Sequence, residues 1–235
     1  MPRITTPGLP EETAMEVQKI YKKLLAYFGP QGWWPIFDKS SQSCQYFTIG
    51  YQVPNSFEIC VGAILTQNTA WKNVEKALCD LINVGITLGL SLQLEPQFIL
   101  SCKNLEKLIQ SAGYYNQKAK KLRIFSEFWI NNKNLSEISL KALRLQLTAL
   151  WGIGPETADS MLLYAFNKPI FVIDTYTRRL CKECGVEFKI YDEYRHFFET
   201  QLPKSVKIFK EYHALIVAWG KLYAKNKKES LKIIS

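Results

Sequence analysis

An all-α fold is what this sequence predicts, on three observations. Apolar residues recur at helical spacing along most of the chain, and no stretch alternates apolar and polar residues as a half-buried strand does. The block Leu150-Trp151-Gly152-Ile153-Gly154-Pro155 reads as a tight glycine turn opening straight into a helix. Pro155 suits a first helical position, where its missing N–H leaves no bond unmade. Composition agrees: 47% of the 235 residues are hydrophobic, enough for a core and too many for a disordered chain.

The elements follow in order. Residues 1–10 carry three prolines and a glycine and read as a loose arm. Glu11 to Phe28 predicts a helix with acidic residues in its first turn, stopped by Gly29-Pro30-Gln31-Gly32. Trp33-Trp34-Pro35 and a polar, irregular stretch to Pro54 come next. Ser56 to Leu65 is a short apolar helix, broken at Thr66-Gln67-Asn68-Thr69. Trp71, Val74, Ala77, Leu78, Leu81 and Ile82 then mark a second helix. Asn104 to Gln110 is a short helix, and Ala119, Leu122, Phe125 and Trp129 form the inward stripe of a longer one. Leu140 to Leu150 leads into the glycine turn. Beyond it Ala158, Met161, Leu162, Ala165 and Phe166 lie on one helical face. Tyr191 to Gln201 is a further helix, and Ile208, Tyr212, Leu215, Trp219 and Leu222 mark the last.

Thirty Lys and Arg against twenty-one Asp and Glu give a net charge of +9, which favours a polyanionic partner without proving one. The six cysteines sit mostly in apolar runs, so reduced buried thiols are expected rather than disulfides. The N-terminus shows no apolar leader and no run is long enough to span a bilayer, so a soluble, cytoplasmic chain is expected, with no membrane association.

Gly-x-Gly alone is weak evidence, because any tight turn between packed helices can require glycine. The whole block is more specific. Gly152-Ile153-Gly154-Pro155-Glu156-Thr157-Ala158-Asp159, followed nineteen positions after Pro155 by Asp174, resembles the helix-hairpin-helix signature of the endonuclease III superfamily of DNA glycosylases. Trp33-Trp34-Pro35, Leu65-Thr66-Gln67-Asn68-Thr69 with Trp71 close behind, and Tyr115-Asn116-Gln117-Lys118-Ala119-Lys120 extend the likeness. Together these elements are most similar to the 3-methyladenine DNA glycosylase III branch.

The resemblance implies a two-lobed helical fold with the active site in the inter-lobe cleft. The central lobe would be 52–168, and 1–51 would join 169–235 in a split second lobe. It also implies a repair enzyme that hydrolyses N-glycosidic bonds in double-stranded damaged DNA, acting as a monomer near the nucleoid. Asp174 takes the catalytic position, where a fixed carboxylate can stabilise an oxocarbenium-like sugar and orient water. Read from local chemistry alone, an Asp before Thr175 is also an ordinary helix N-cap.

Glu156 stands where relatives that also cut the backbone have a Schiff-base lysine, which implies a monofunctional enzyme. Glutamate also suits a helix first turn for electrostatic reasons. Trp33, Trp34, Pro35 and Trp71 would form the pocket for an extruded base, although Trp71 reads equally as core filler; aromatic faces favour the cationic base of an alkylated purine. Trp129, Trp151 and Trp219, on or beside helical stripes, are expected in the core.

Gly152 and Gly154 would meet the DNA backbone. Gln67 and Tyr114 match the side chains that relatives insert into the duplex, although a loop-closing amide and a half-buried tyrosine are the plainer readings. Asn116 and Lys118 belong to the same DNA-binding set, with Lys118, Lys120 and Lys121 as candidates for phosphates or simply a solvated face. His196 and His213 read as surface or packing residues. Many relatives hold an iron–sulfur cluster with four terminal cysteines; no cysteine follows Cys184 here, so no metal is expected. A monovalent cation on the hairpin carbonyls is the one ligand the resemblance leaves open. Two other activities stay in view: an endonuclease III-like glycosylase and lyase for oxidised pyrimidines or mismatched bases, and a DNA-binding relative that has lost catalysis. Preference among alkylated bases and the role of the loop 38–51 are not legible in the residues.

Overall fold

The computed structural model describes residues 15–38, 41, 43–45, 56–87 and 94–235. Among them the chain is helical almost throughout, as expected. The chain divides into two compact units: Met1–Pro30 with Ile173–Ser235, and Gln31–Val172. The first boundary falls at 30/31 rather than 51/52, and the second at 172/173 rather than 168/169. Trp33, Trp34 and Pro35 therefore belong to the larger, middle unit. The physical reason is packing, because these residues lie against helices of the middle of the chain.

In the larger unit a pair of antiparallel strands, β1 (Ile36–Asp38) and β2 (Ser43–Gln45), aligns Phe37 with Cys44. Strands of three residues are too short to show alternation, so the sequence gives no sign of them. The rest of the loop 38–51, residues 39, 40, 42 and 46–51, lies outside the described residues. Helices α2 (Ser56–Leu65) and α3 (Trp71–Thr87) follow, then α4 (Pro96–Ser101), α5 (Leu105–Leu108) and a 3-10 turn over Gln110–Ala112. Every residue of α2 after Ser56 is buried, which explains its unbroken apolar run.

Next come α6 (Tyr115–Asn131), α7 (Leu140–Ala149) and α8 (Pro155–Ser160). Beyond α8 the helix widens to a π turn over Met161–Ala165, where Phe166 N–H donates back to the Met161 carbonyl at 3.2 Å. An even helical stripe hides this extra residue. Trp129 packs with Phe57, Phe125 and Phe166 at the edge of the core, half-buried rather than enclosed.

The smaller unit holds α1 (Val17–Phe28), α9 (Thr175–Glu183), α10 (Tyr191–Gln201), α11 (Val206–Lys225) and α12 (Lys227–Ile234). The described part of the first helix begins at Val17; Glu11 and Glu12 lie outside the described residues. Trp219 is fully buried and donates from Nε1 to the Ser230 carbonyl at 2.9 Å. This bond closes α12 onto α11 in a segment the sequence leaves unassigned. Its start is capped by Asn226, whose side chain accepts from Glu229 N–H at 3.2 Å. Among the described residues all six cysteines carry free thiols. No described helix is long and apolar enough to cross a membrane.

Candidate nucleic-acid processing site

The carboxylate of Asp174 is built by local capping. Asp174 has extended backbone, and its Oδ1 accepts from Thr177 N–H at 2.7 Å and from Thr177 Oγ1 at 2.8 Å, which makes it the N-cap of α9. The preceding Ile173 N–H donates to the Tyr191 hydroxyl at 3.2 Å, so the backbone is held on both sides. His213 Nε2 of α11 lies 3.6 Å from Oδ2, and the Asp174 side chain keeps 15% of its surface exposed. Burial pushes the carboxyl up, but His213 and the two Thr177 donors outweigh it and hold it below the ordinary range. The group is therefore an anion with one oxygen committed to the cap. His213 is the neighbour that sequence reasoning misses: it lies on the stripe Phe209, His213, Ile216, Gly220, parallel to the one marked by Tyr212 and Trp219.

What seats α9 against α11 is Gly220. A Cβ there would stand 2.1 Å from the Tyr176 ring, so only glycine admits this approach. Tyr176 is the second residue of α9, and the same contact that brings the helices together therefore fixes the end carrying Asp174.

In the larger unit Trp33, Trp34 and Trp71 pack edge-on to one another with ring centroids 5.0 to 5.7 Å apart. Trp34 also meets Tyr164, held within the π turn, at 5.2 Å. Its indole lies on Gly62 of α2, where a Cβ would be 3.1 Å away. Trp71 Nε1 donates to Glu75 at 2.8 Å, and Pro35 is buried beside the cluster's first residues. The indoles touch, so a flat base would meet an outward ring face of half-buried Trp33 or Trp34 rather than slide between two of the three. Below them Glu58 is buried and accepts from Phe37 N–H at 2.8 Å. Burial pushes its pKa up to about 7, against that hydrogen bond.

The glycine turn is as the sequence predicts: Gly152 has φ 81°, a left-handed conformation that favours glycine, and Gly154 precedes Pro155 as the N-cap of α8. Glu156 is exposed in the first turn of α8. Asp159, fully buried, receives a bidentate pair from Arg144 of α7 at 2.7 and 3.1 Å, which locks the two hairpin helices. Trp151 is not a core residue. It stands 49% exposed beside the turn with the Lys120 ammonium 4.4 Å from its ring, while Ile153 between the two glycines takes the buried position.

Gln67 adopts the loop-closing role. Its amide donates to the Gly152 carbonyl at 3.1 Å and to Thr157 Oγ1 at 2.9 Å, while its oxygen accepts from Lys121 at 2.5 Å. Tyr114 is not half-buried: it is 67% exposed, with φ 45°, at the N-cap of α6. A left-handed tyrosine with its ring in solvent is a strained and unusual arrangement. Asn116 is exposed two residues on. Lys118 overturns its expectation. It is 1% exposed and its ammonium donates to the Leu65 carbonyl at 2.8 Å and the Ala112 carbonyl at 2.7 Å, so it is withdrawn from any phosphate. Its position on the stripe Lys118, Leu122, Phe125, Trp129 was the available signal.

Several known proteins are similar to this chain. The sequence profile of the HhH-GPD superfamily base excision DNA repair proteins matches residues 61–204. A Methanocaldococcus jannaschii protein named as a DNA repair glycosylase is 41% identical over 221 residues, 90% of either chain. Endonuclease III of Sulfolobus acidocaldarius is 31% identical, over 74% of this chain and 76% of its own. Among solved structures, H. pylori 3-methyladenine DNA glycosylase with 1,N6-ethenoadenine bound aligns with a TM-score of 0.68 at 27% identity, over 91% of this chain and 99% of that one. This chain belongs to the HhH-GPD superfamily of base excision DNA repair proteins.

Proposed function

We propose that the chain is a monofunctional DNA glycosylase that removes alkylated purines, 3-methyladenine first, from double-stranded DNA. The observation that carries this reading is the indole cluster of Trp33, Trp34 and Trp71. An alkylated purine is a cation as it leaves its stack, and an indole face stabilises a cation by about 0.5–2 kcal/mol. The likeness to a 3-methyladenine glycosylase that binds ethenoadenine supports the same substrate class.

In the proposed reaction the C1′–N bond breaks with its electron pair moving to the base, which leaves neutral. Positive charge develops on the sugar. Asp174, an anion with Oδ2 turned to His213 and Oδ1 held by Thr177, supplies the balancing charge and orients the water that adds to C1′, whose surplus proton passes to solvent. Glu156 offers no amine for a Schiff base, which supports base release without strand cleavage. Gly152 and Gly154 would face the DNA backbone and Tyr114 the opened stack. The reaction as written needs no metal or cofactor, and the many-cysteine set that would hold an iron–sulfur cluster does not fit this chain. We further propose a monomer working in the cytoplasm on nucleoid DNA; a monovalent cation on the hairpin carbonyls would be an accessory to DNA binding.

A second reading is favoured by the likeness to Sulfolobus endonuclease III: excision of an oxidised or mismatched base with lyase action. Release of methylated purines and of thymine glycol from matched duplexes, by wild type and Asp174→Asn, decides between them. Methylated purine release lost in the variant is the expected result. Thymine glycol release with a borohydride-trapped adduct would overturn the proposal, and DNA binding without any base release would mark a relative that has lost catalysis.

A further inference from the structure

Lys118 touches two places that are far apart in sequence and alike in kind. Leu65 is the last residue of α2, and Ala112 is the last residue of the 3-10 turn; both carbonyls are at helical C-termini, where the backbone presents unpaired acceptors and partial negative charge. One ammonium serves both: it is 1% exposed and donates to each, at 2.8 and 2.7 Å. Each carbonyl stands two residues before a side chain expected at DNA. Gln67 follows Leu65, and Tyr114 follows Ala112 through Gly113, whose φ of 69° turns the chain. We propose that Lys118 is a positioning residue that sets the spacing between the Gln67 loop, which is clamped to the glycine hairpin, and the Tyr114 turn, so that hairpin and Tyr114 engage a duplex together. This rests on the glycosylase reading above and extends it to how the duplex is opened.

The physical case is one of rigidity. A charge-assisted hydrogen bond to each carbonyl holds the two loop bases more firmly than neutral contacts would. The Gln67 amide is itself clamped to Gly152, Thr157 and Lys121, so a shift at Leu65 would be carried into the hairpin. Misplacing groups that act on a substrate by about 1 Å costs on the order of a hundredfold in rate. The need arises only where a base must be drawn out of a stack; a single strand already offers it.

The test compares base release from a damaged duplex and from the same damaged single strand, using methylated purine or thymine glycol, whichever the wild type removes. Lys118→Met is expected to lower the duplex rate by about ten- to a hundredfold and to leave single-strand release near wild type. Lys118→Arg, which keeps the charge, is expected to recover part of the duplex rate. Equal loss on both substrates, or no loss on either, in folded protein overturns the proposal. So does failure of both variants to fold, since a residue required by the whole unit does not act by spacing two loops. If the wild type releases neither base, the glycosylase reading fails by itself. Lys118 is then judged by a 2-aminopurine duplex, which should brighten with wild type and stay dark with Lys118→Met.

Discussion

The corner around Asp174 and the cluster around Trp34 solve opposite problems. The first must keep a charge nearly out of water, and does so with two donors from Thr177 and with the His213 ring 3.6 Å away. The second must keep large apolar rings partly in water, and does so by packing them on one another and on a glycine. A hydrogen-bonded site is defined by a few directional contacts and should fail sharply when one is removed. An aromatic cluster shares its energy over many weak contacts and should degrade by degrees.

The largest effect is expected at the polar corner. Asp174→Asn should keep the Thr177 cap yet lower kcat by about 10²–10⁴, with substrate binding little changed, as measured by single-turnover base release. Because the Asp174 carboxyl is held below its ordinary value of about 3.9, its contributions to activity and to stability are present above that value. They are lost as pH falls through the lower folded value. Acid loss of activity above pH 5 would show that another group controls the profile.

A cut at Arg144→Met removes the bidentate cation from fully buried Asp159 and should cost about 3 kcal/mol in urea unfolding. Softer behaviour is predicted for the aromatic cluster. Trp34→Phe should shrink the preference for a cationic over a neutral lesion by no more than about tenfold, in line with the loss of one indole face. An all-or-none loss there would erase the contrast between the two regions. The smallest effect concerns Glu58, whose pKa is pushed up to about 7 by burial. The wild type should lose stability as pH rises from about 4.3 to about 7, where the folded protein retains the proton that the unfolded chain releases. Glu58→Gln keeps an acceptor for Phe37 N–H and should flatten that slope, so that the variant gains on the wild type as pH rises to 8.

The polar corner was largely legible in the sequence and the aromatic cluster only in part, for the same reason that they differ physically. Asp174 obeys a local rule, since an N-cap is read from the residues next to it. The hairpin is legible too, because Gly152, Gly154 and Pro155 each answer to backbone geometry. Tertiary partners are not local. Nothing near His213 says that it will meet Asp174, and nothing near Lys118 says that two distant carbonyls will meet its ammonium. Both sit on apolar stripes and would have been found by asking which polar residue interrupts a buried face. The π turn at Met161–Ala165, the three-residue strands and α12 were illegible because each leaves a pattern shorter or more polar than periodicity can register.

The π turn has an evolutionary and practical corollary. One surplus residue in a helix rotates everything before it by roughly a quarter turn relative to everything after. Tyr164 reaches Trp34 from inside that turn. Deleting any one residue from Met161 to Ala165 should restore a regular spiral and swing the phenol off the indole. Length, and not only letter, is thus inherited information at this place, and engineered libraries that vary composition alone will never sample its loss.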